Sequence, residues 1–269
     1  MIRQDRREFL RLAGLSALAP AAVGKGPTSA NVAQRPNLLI VMADQHHAGV
    51  TKRSGFPLDT MPVLDGLAGS GVAFERAYAC APLCVPSRVS LLTGRWPHAH
   101  RVRQNSAAGH AVFQKDIFEI VKTLGYRTGL AGKNHSYLKP DQLDFWRSYS
   151  HLEGWKPPNA SREVIEFDNW LLRENFAIEP QPAPFPVEAQ HPYRIVSDAC
   201  EFIGAKPEQP FALWVSFPEP HNPYQVSEPY FSLFPPQSIP ARDVGPEVLA
   251  QKGYKWQWLR GLEEDANPG

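Results

Sequence analysis

At 269 residues, 43% hydrophobic and 20% charged, the chain has the composition of an ordinary globular protein of one large domain or two small ones. A net charge of +1 gives no overall pull toward nucleic acid or acidic lipid, and no apolar run reaches the roughly 18 residues of a membrane-spanning helix. Three cysteines, Cys80, Cys84 and Cys200, are too few for a disulfide framework and are not spaced for zinc. Of the 27 prolines most lie beyond residue 150, interleaved with Trp and Phe, which predicts ordered loops in the second half.

In chain order, Arg6-Arg7 come first, followed by Phe9-Leu10, a mildly apolar stretch over 12–23 and small residues. That order predicts a twin-arginine export signal over residues 1–30, passed to the Tat translocase, and a periplasmic or extracellular mature protein. The folded part then spans 35–269. Residues 36–43 form a continuous apolar run ending at Asp44, as expected of a strand buried on both faces. A short helix is expected over 60–70, a second strand over 72–79 and a helix over 86–92 closed by Gly94. Residues 116–124 carry one apolar helical face, and 127–131 open another strand. Further helices are expected over 164–172 and 193–203, and a buried strand over 211–217. Alternation of strands and helices predicts an α/β fold with a mostly parallel central sheet. Ligands of such sheets collect at the carboxyl ends of the strands, where Asp44, Lys133, His135 and His221 fall.

Chemistry concentrates at Cys84-Val85-Pro86-Ser87-Arg88, continued by Leu92-Thr93-Gly94-Arg95. Cys84 stands where a loop enters a helix, with Pro86 in the first turn. The positive helix end favours an anion, and Arg88, one turn on, reaches the same place. A nucleophile, a helix start and a guanidinium fork together suit a tetrahedral oxyanion. A second motif is Gly125-Tyr126-Arg127-Thr128 with Gly132-Lys133-Asn134-His135. A third is Pro220-His221-Asn222-Pro223. Asp44, at the end of a buried strand, needs a cation or a charged partner, and its oxygens suit Ca²⁺ or Mg²⁺. His46 and His47 read as loop residues. Cys80 and Cys200 are expected as buried small hydrophobes and not as a bridge.

The run from Cys84 to Arg95 resembles the first signature of the sulfatase family, and the run from Gly125 to His135 resembles the second. The resemblance covers about residues 35–225 and implies the N-terminal part of an alkaline-phosphatase-like catalytic domain, its sheet flanked by helices on both faces. In that family the cysteine is oxidised to formylglycine by a maturation enzyme, and the aldehyde hydrate attacks sulfur. By the resemblance, Lys133 binds the sulfate and nucleophile oxygens, and His135 holds the hydrate or assists its collapse. His221 contacts the sulfate or protonates the leaving oxygen; Asn105, a short loop beyond the first signature, is separately expected to line the pocket. Asp44, Gln45 and the residue-84 hydrate hold Ca²⁺, with Mg²⁺ or Mn²⁺ as alternatives. The family has an acidic pair where Asp44-Gln45 stands, so one negative charge is missing.

The implied activity is sulfuric ester hydrolysis, on a sulfated sugar or an aryl sulfate. The competing readings are a phosphonate monoester or phosphodiester hydrolase on the same fold, and an inactive truncated fragment. Truncation at the C-terminus is expected because the family's second metal-ligand pair has no match at a strand end. The sole Asp-Asn pair, Asp168-Asn169, falls inside the helical segment 164–172.

Overall fold

The computed structural model describes residues 35–205, 208–241, 246–254, 256–258 and 261. The expected export signal over 1–30 lies outside the described residues. Four strands, β1 (Leu38–Ala43), β2 (Arg127–Lys133), β3 (Phe145–Tyr149) and β4 (Phe211–Phe217), form one all-parallel sheet in the order β1-β4-β2-β3. Its centre is β4, in register with Leu39 through Leu213 and with Gly129 through the same residue. The run Phe-Ala-Leu-Trp-Val-Ser-Phe suits that place, since a central parallel strand is covered on both faces.

The longer helices are α1 (Pro62–Ser70), α2 (Cys84–Thr93), α3 (Ile117–Thr123), α4 (Arg162–Glu174) and α5 (His191–Gly204). Leu92 of α2 with Phe118 and Val121 of α3 pack on Leu130, Ala212 and Trp214, on one face of the sheet. Ile195, Ala199 and Phe202 of α5 pack on Ala131, Leu213 and Val215, on the other. Helix α4 forms a satellite core with Phe167, Trp170 and Leu171 against Ala183 and Ala189. Helix α3 starts at a reciprocal cap: Asp116 accepts the Glu119 N–H at 2.8 Å, and Glu119 accepts the Asp116 N–H at 2.9 Å.

Three expectations are corrected. The 36–43 run is covered on one face only: Leu38, Ile40 and Met42 join the core, whereas Leu39 and Val41 are 52% and 59% exposed. β1 is an edge strand, and among the described residues no helix covers its second face. Residues 72–79 form no strand, and Val72 and Tyr78 lie exposed. Cys80 and Cys200 are exposed free thiols, not buried hydrophobes. Cys200 lies on α5, whose buried hydrophobic residues Ile195, Ala199 and Phe202 fall on another side of the helix. β3 was not foreseen. Its sequence, Phe-Trp-Arg-Ser-Tyr, shows no clean alternation, and the loop 134–144 joins it to β2 without an α-helix.

Candidate active site

Every strand delivers polar side chains to one rim. Asp44 follows β1, Lys133 ends β2 with His135 two residues on, His151 lies two residues past β3, and Ser216 and His221 belong to the end of β4. Cys84 opens α2 at the same rim. Gly132 allows the strands to close here. Its φ is +115°, and a Cβ there would fall 1.9 Å from the Ser216 carbonyl oxygen, so no other residue fits. Lys133 is thereby set at the sheet edge one residue later.

The Cys84 Sγ lies 3.7 Å from Asp44 Oδ1 and 3.7 Å from Lys133 Nζ. Asp44 Oδ2 accepts from Arg88 Nη2 at 3.3 Å and from Lys133 Nζ. Arg88 Nη1 donates to the Lys133 carbonyl at 2.8 Å and to Ser216 Oγ at 2.7 Å, tying together the ends of β2 and β4. The Arg88 and Lys133 side chains are only 3% and 2% exposed, against 11% for Asp44. Two buried cations thus face one carboxylate, which leaves a buried surplus of positive charge beside a half-buried thiol. Burial raises the Asp44 carboxyl, but the bond and charge of Lys133 and the charge of Arg88 override it and hold the group below the ordinary carboxylate range. Burial pulls the Lys133 ammonium below the ordinary lysine range, with Asp44 opposing.

The anion-binding capacity of the α2 start comes out smaller than its sequence suggests. The Val85 N–H is taken by Asn105 Oδ1 at 3.1 Å, Pro86 has no N–H, and the Ser87 N–H bonds the Leu83 carbonyl at 3.0 Å. Asn105 is thus brought next to Cys84, with its side-chain oxygen spent on the helix. An anion here depends chiefly on Lys133 and Arg88.

Three imidazoles surround this centre. His135, at φ +42°, is held down to about 4 by desolvation and then by the charges of Lys133 and Arg88. His151 Nε2 lies 2.5 Å from Lys133 Nζ, and its ring stacks on His221 at 3.9 Å between centroids. Burial first, then Lys133, lowers His151 to about 3. His221 Nδ1 lies 2.7 Å from the Asn222 carbonyl oxygen and must donate to it, which leaves Nε2 as its free edge. His151 was missed in the sequence, where it follows a strand that was itself unforeseen. His47 is a loop residue whose Nδ1 accepts the Gly49 N–H at 3.1 Å.

Gln45 is exposed and adopts φ +60° next to Asp44. The donor set for a cation is therefore one carboxylate already engaged by two protein cations, one amide and the position of Cys84. Ca²⁺ takes about six to eight oxygens, and among the described residues no cluster of three or more His, Cys, Asp or Glu is grouped to hold a metal. The residues present do not by themselves make a complete cation site. Asp168 is no ligand: it is buried in α4 and bound by Arg194 at 2.7 Å, Lys156 at 2.5 Å and His191 at 3.1 Å.

A parallel α/β sheet thus carries a thiol flanked by buried cations at its carboxyl rim. The model of the family described as Sulfatase matches residues 36–243, and the chain belongs to that family. It is 27% identical over 229 residues to an arylsulfatase of Clostridium perfringens, covering 77% of this chain and 47% of that protein. It is 31% identical over 221 residues to human arylsulfatase A, covering 71% and 42%. The chain thus spans less than half the length of these relatives. Among solved structures it resembles the phosphonate monoester hydrolase of Agrobacterium radiobacter, with a TM-score of 0.62 at 21% identity over 83% of this chain and 49% of that one. It also resembles a protein solved with its substrate D-glucosamine-2-N,6-O-disulfate, with a TM-score of 0.58 at 20% identity over 78% and 40%. The fold is alkaline-phosphatase-like.

Proposed function

We propose that this chain carries the nucleophile-bearing half of a sulfuric ester hydrolase, with formylglycine formed from Cys84. The observation that carries this reading is the buried surplus of positive charge at Arg88 and Lys133, 3.7 Å from the sulfur through Lys133. Such a place favours an oxyanion over a neutral ligand. A hydrated aldehyde at residue 84 supplies an oxygen to attack sulfur and a second hydroxyl whose deprotonation releases sulfate. Lys133 places its ammonium on the sulfate oxygens. Arg88 holds Asp44 and the strand ends in register, and adds its charge. His221, in its protonated form, presents Nε2–H to the departing alcohol oxygen. His135 is neutral above about pH 4, so it accepts a proton as sulfate leaves. Asp44 and Gln45 are the oxygen ligands this segment offers a divalent cation. Export through the Tat translocase rests on Arg6-Arg7 and the stretch after them.

A phosphonate or phosphodiester substrate is the second reading, favoured by the fold likeness to the phosphonate monoester hydrolase and by Gln45 in place of an acid. Lys133 with His135 favours sulfate. Mass spectrometry of the peptide spanning residue 84, from protein matured in its own host, is expected to show an aldehyde in place of CH₂–SH. Parallel assays on an aryl sulfate and an aryl phosphonate are expected to favour the sulfate. An unmodified thiol with no turnover of either would mean an inert chain.

A further inference from the structure

We propose that His151 is a positioning residue of this site, a neutral imidazole whose Nε2 fixes the direction of the Lys133 ammonium and whose ring backs His221. The proposal deepens the functional reading above and rests on it for its kinetic consequence, but its geometric core stands separately.

An ammonium group has three protons and no acceptor. The surroundings of Lys133 Nζ offer three places for them: Asp44 Oδ2, His151 Nε2 at 2.5 Å, and the nucleophile position at Cys84 Sγ, 3.7 Å away. Two fixed acceptors determine the rotation of the group, and the third proton then points at the reacting centre. Without His151 the ammonium keeps one fixed bond and turns about it. A lysine is a flexible point charge, so a second acceptor is what makes it directional. Because Lys133 can only donate, Nε2 of His151 must be unprotonated and the ring proton must sit on Nδ1. Nδ1 is enclosed and has no partner, so the contact at Nε2 alone sets the tautomer.

The ring is held on both sides. It stacks on His221 with planes 27° apart, and Phe176 and His135 meet it edge-on at 5.7 Å and 6.4 Å. The segment that follows is anchored by the buried Asp168 cluster. Asp168 Oδ2 accepts the Gly154 N–H at 3.0 Å, and Arg194 Nη2 donates to the Trp155 carbonyl at 2.6 Å. Asp168 and Arg194 therefore act on this rim through the backbone that carries His151.

Two measurements on the full chain test this. Long-range proton–nitrogen correlation of the imidazole nitrogens, with His151 assigned by its loss in His151→Phe, is expected to show the Nδ1–H tautomer. An Nε2–H or averaging ring would overturn the proposal, whether or not the chain turns over sulfate. The kinetic test compares His151→Phe, which keeps the stacking and removes the acceptor, with His151→Gln, which restores an acceptor. For aryl sulfate hydrolysis, His151→Phe is expected to lower kcat by about tenfold or more, with a smaller change in KM and an unchanged Tm. His151→Gln is expected to recover most of the loss. His151→Phe as fast as the parent, or both variants equally slow, would overturn it. A parent with no turnover at all would count against the sulfatase reading and leave the tautomer to decide the role of His151.

Discussion

Asp44 and Asp168 are each ringed by positive groups in the same small molecule. Asp44 meets Arg88 and Lys133, both almost fully buried. Asp168 meets Arg194, Lys156, neutral His191 and the Gly154 N–H, and is itself 1% exposed. Formally each cluster holds one carboxylate and two cations. The difference lies in where the second cation goes. Lys156 is 31% exposed, so water screens its charge and the Asp168 cluster is complete as it stands. Lys133 has no such outlet. Its charge stays inside, next to Cys84, and an incoming anion is what would balance it. A ringed carboxylate therefore does not mark a reactive site by itself; buried charge left unbalanced beside a nucleophile does.

The largest effect expected from this contrast is on turnover. Cys84→Ala removes the nucleophile and is expected to abolish aryl sulfate hydrolysis. Lys133→Met is expected to lower kcat/KM by at least about 10²-fold, since a preorganised charge on the sulfate is lost. Its Tm should hold or rise slightly, because the substitution removes the buried charge that Asp44 and Arg88 do not need. A Lys133→Met protein that melts far below the parent would show that the surplus charge is structural after all.

The Asp168 cluster should respond the other way. Asp168→Asn leaves Arg194 buried without its carboxylate and is expected to cost about 3–5 kcal/mol in urea unfolding, with activity lost in step with the fold. A loss below about 1 kcal/mol would mean that water reaches this cluster too.

How much of this could be read from the chain follows from the same geometry. Asp44, Lys133 and His221 each follow an apolar run that is legible as a strand, so their common rim was predictable. Cys84 and Arg88 stand out by their spacing at a helix start. His151 did not, because β3 carries Trp146, Arg147 and Ser148 at the sheet edge and lacks the apolar signature of β1 and β4. An edge strand half exposed to water imposes little pattern on its sequence, and any residue beyond its end is hidden with it. The Asp168 cluster was invisible for another reason. Its partners Lys156, His191 and Arg194 come from a loop and a separate helix, and no local spacing links them. The exposed face of β1 was misread because an apolar run records what the side chains are and not which element covers them.

Acid separates the two clusters. His135 and His151 stay neutral in the folded protein down to about 4 and about 3, whereas an unfolded imidazole takes up its proton near 6.5. Between those values the unfolded chain binds more protons than the native one. Stability therefore rises with pH across this window and is lost as pH falls through it. Asp168 is also lowered, but from 3.8, so its contribution persists above that value and fades only below it. Unfolding free energy measured from pH 6.5 to 4 should fall in the parent and fall less steeply in His135→Asn. Asp168→Asn should lower the whole curve over that window. Equal slopes in the parent and His135→Asn would mean that His135 titrates like a free imidazole.

The smallest effects belong to the cysteines outside the rim. Cys80 and Cys200 are exposed and unpaired with each other, so Cys80→Ser and Cys200→Ser are each expected to stay within about 0.5 kcal/mol of the parent. Their exposure makes them useful as an internal count. A thiol reagent acting on the native matured protein should find these two alone, because residue 84 would be an aldehyde. In Cys80→Ser/Cys200→Ser protein made without the maturation enzyme, Cys84 should be the only thiol. Its Sγ lies 3.7 Å from Lys133 Nζ, so its reaction with an anionic thiol reagent should slow when Lys133→Met is added. If it does not slow, the charge buried at Lys133 is already spent on Asp44 and none of it reaches Cys84.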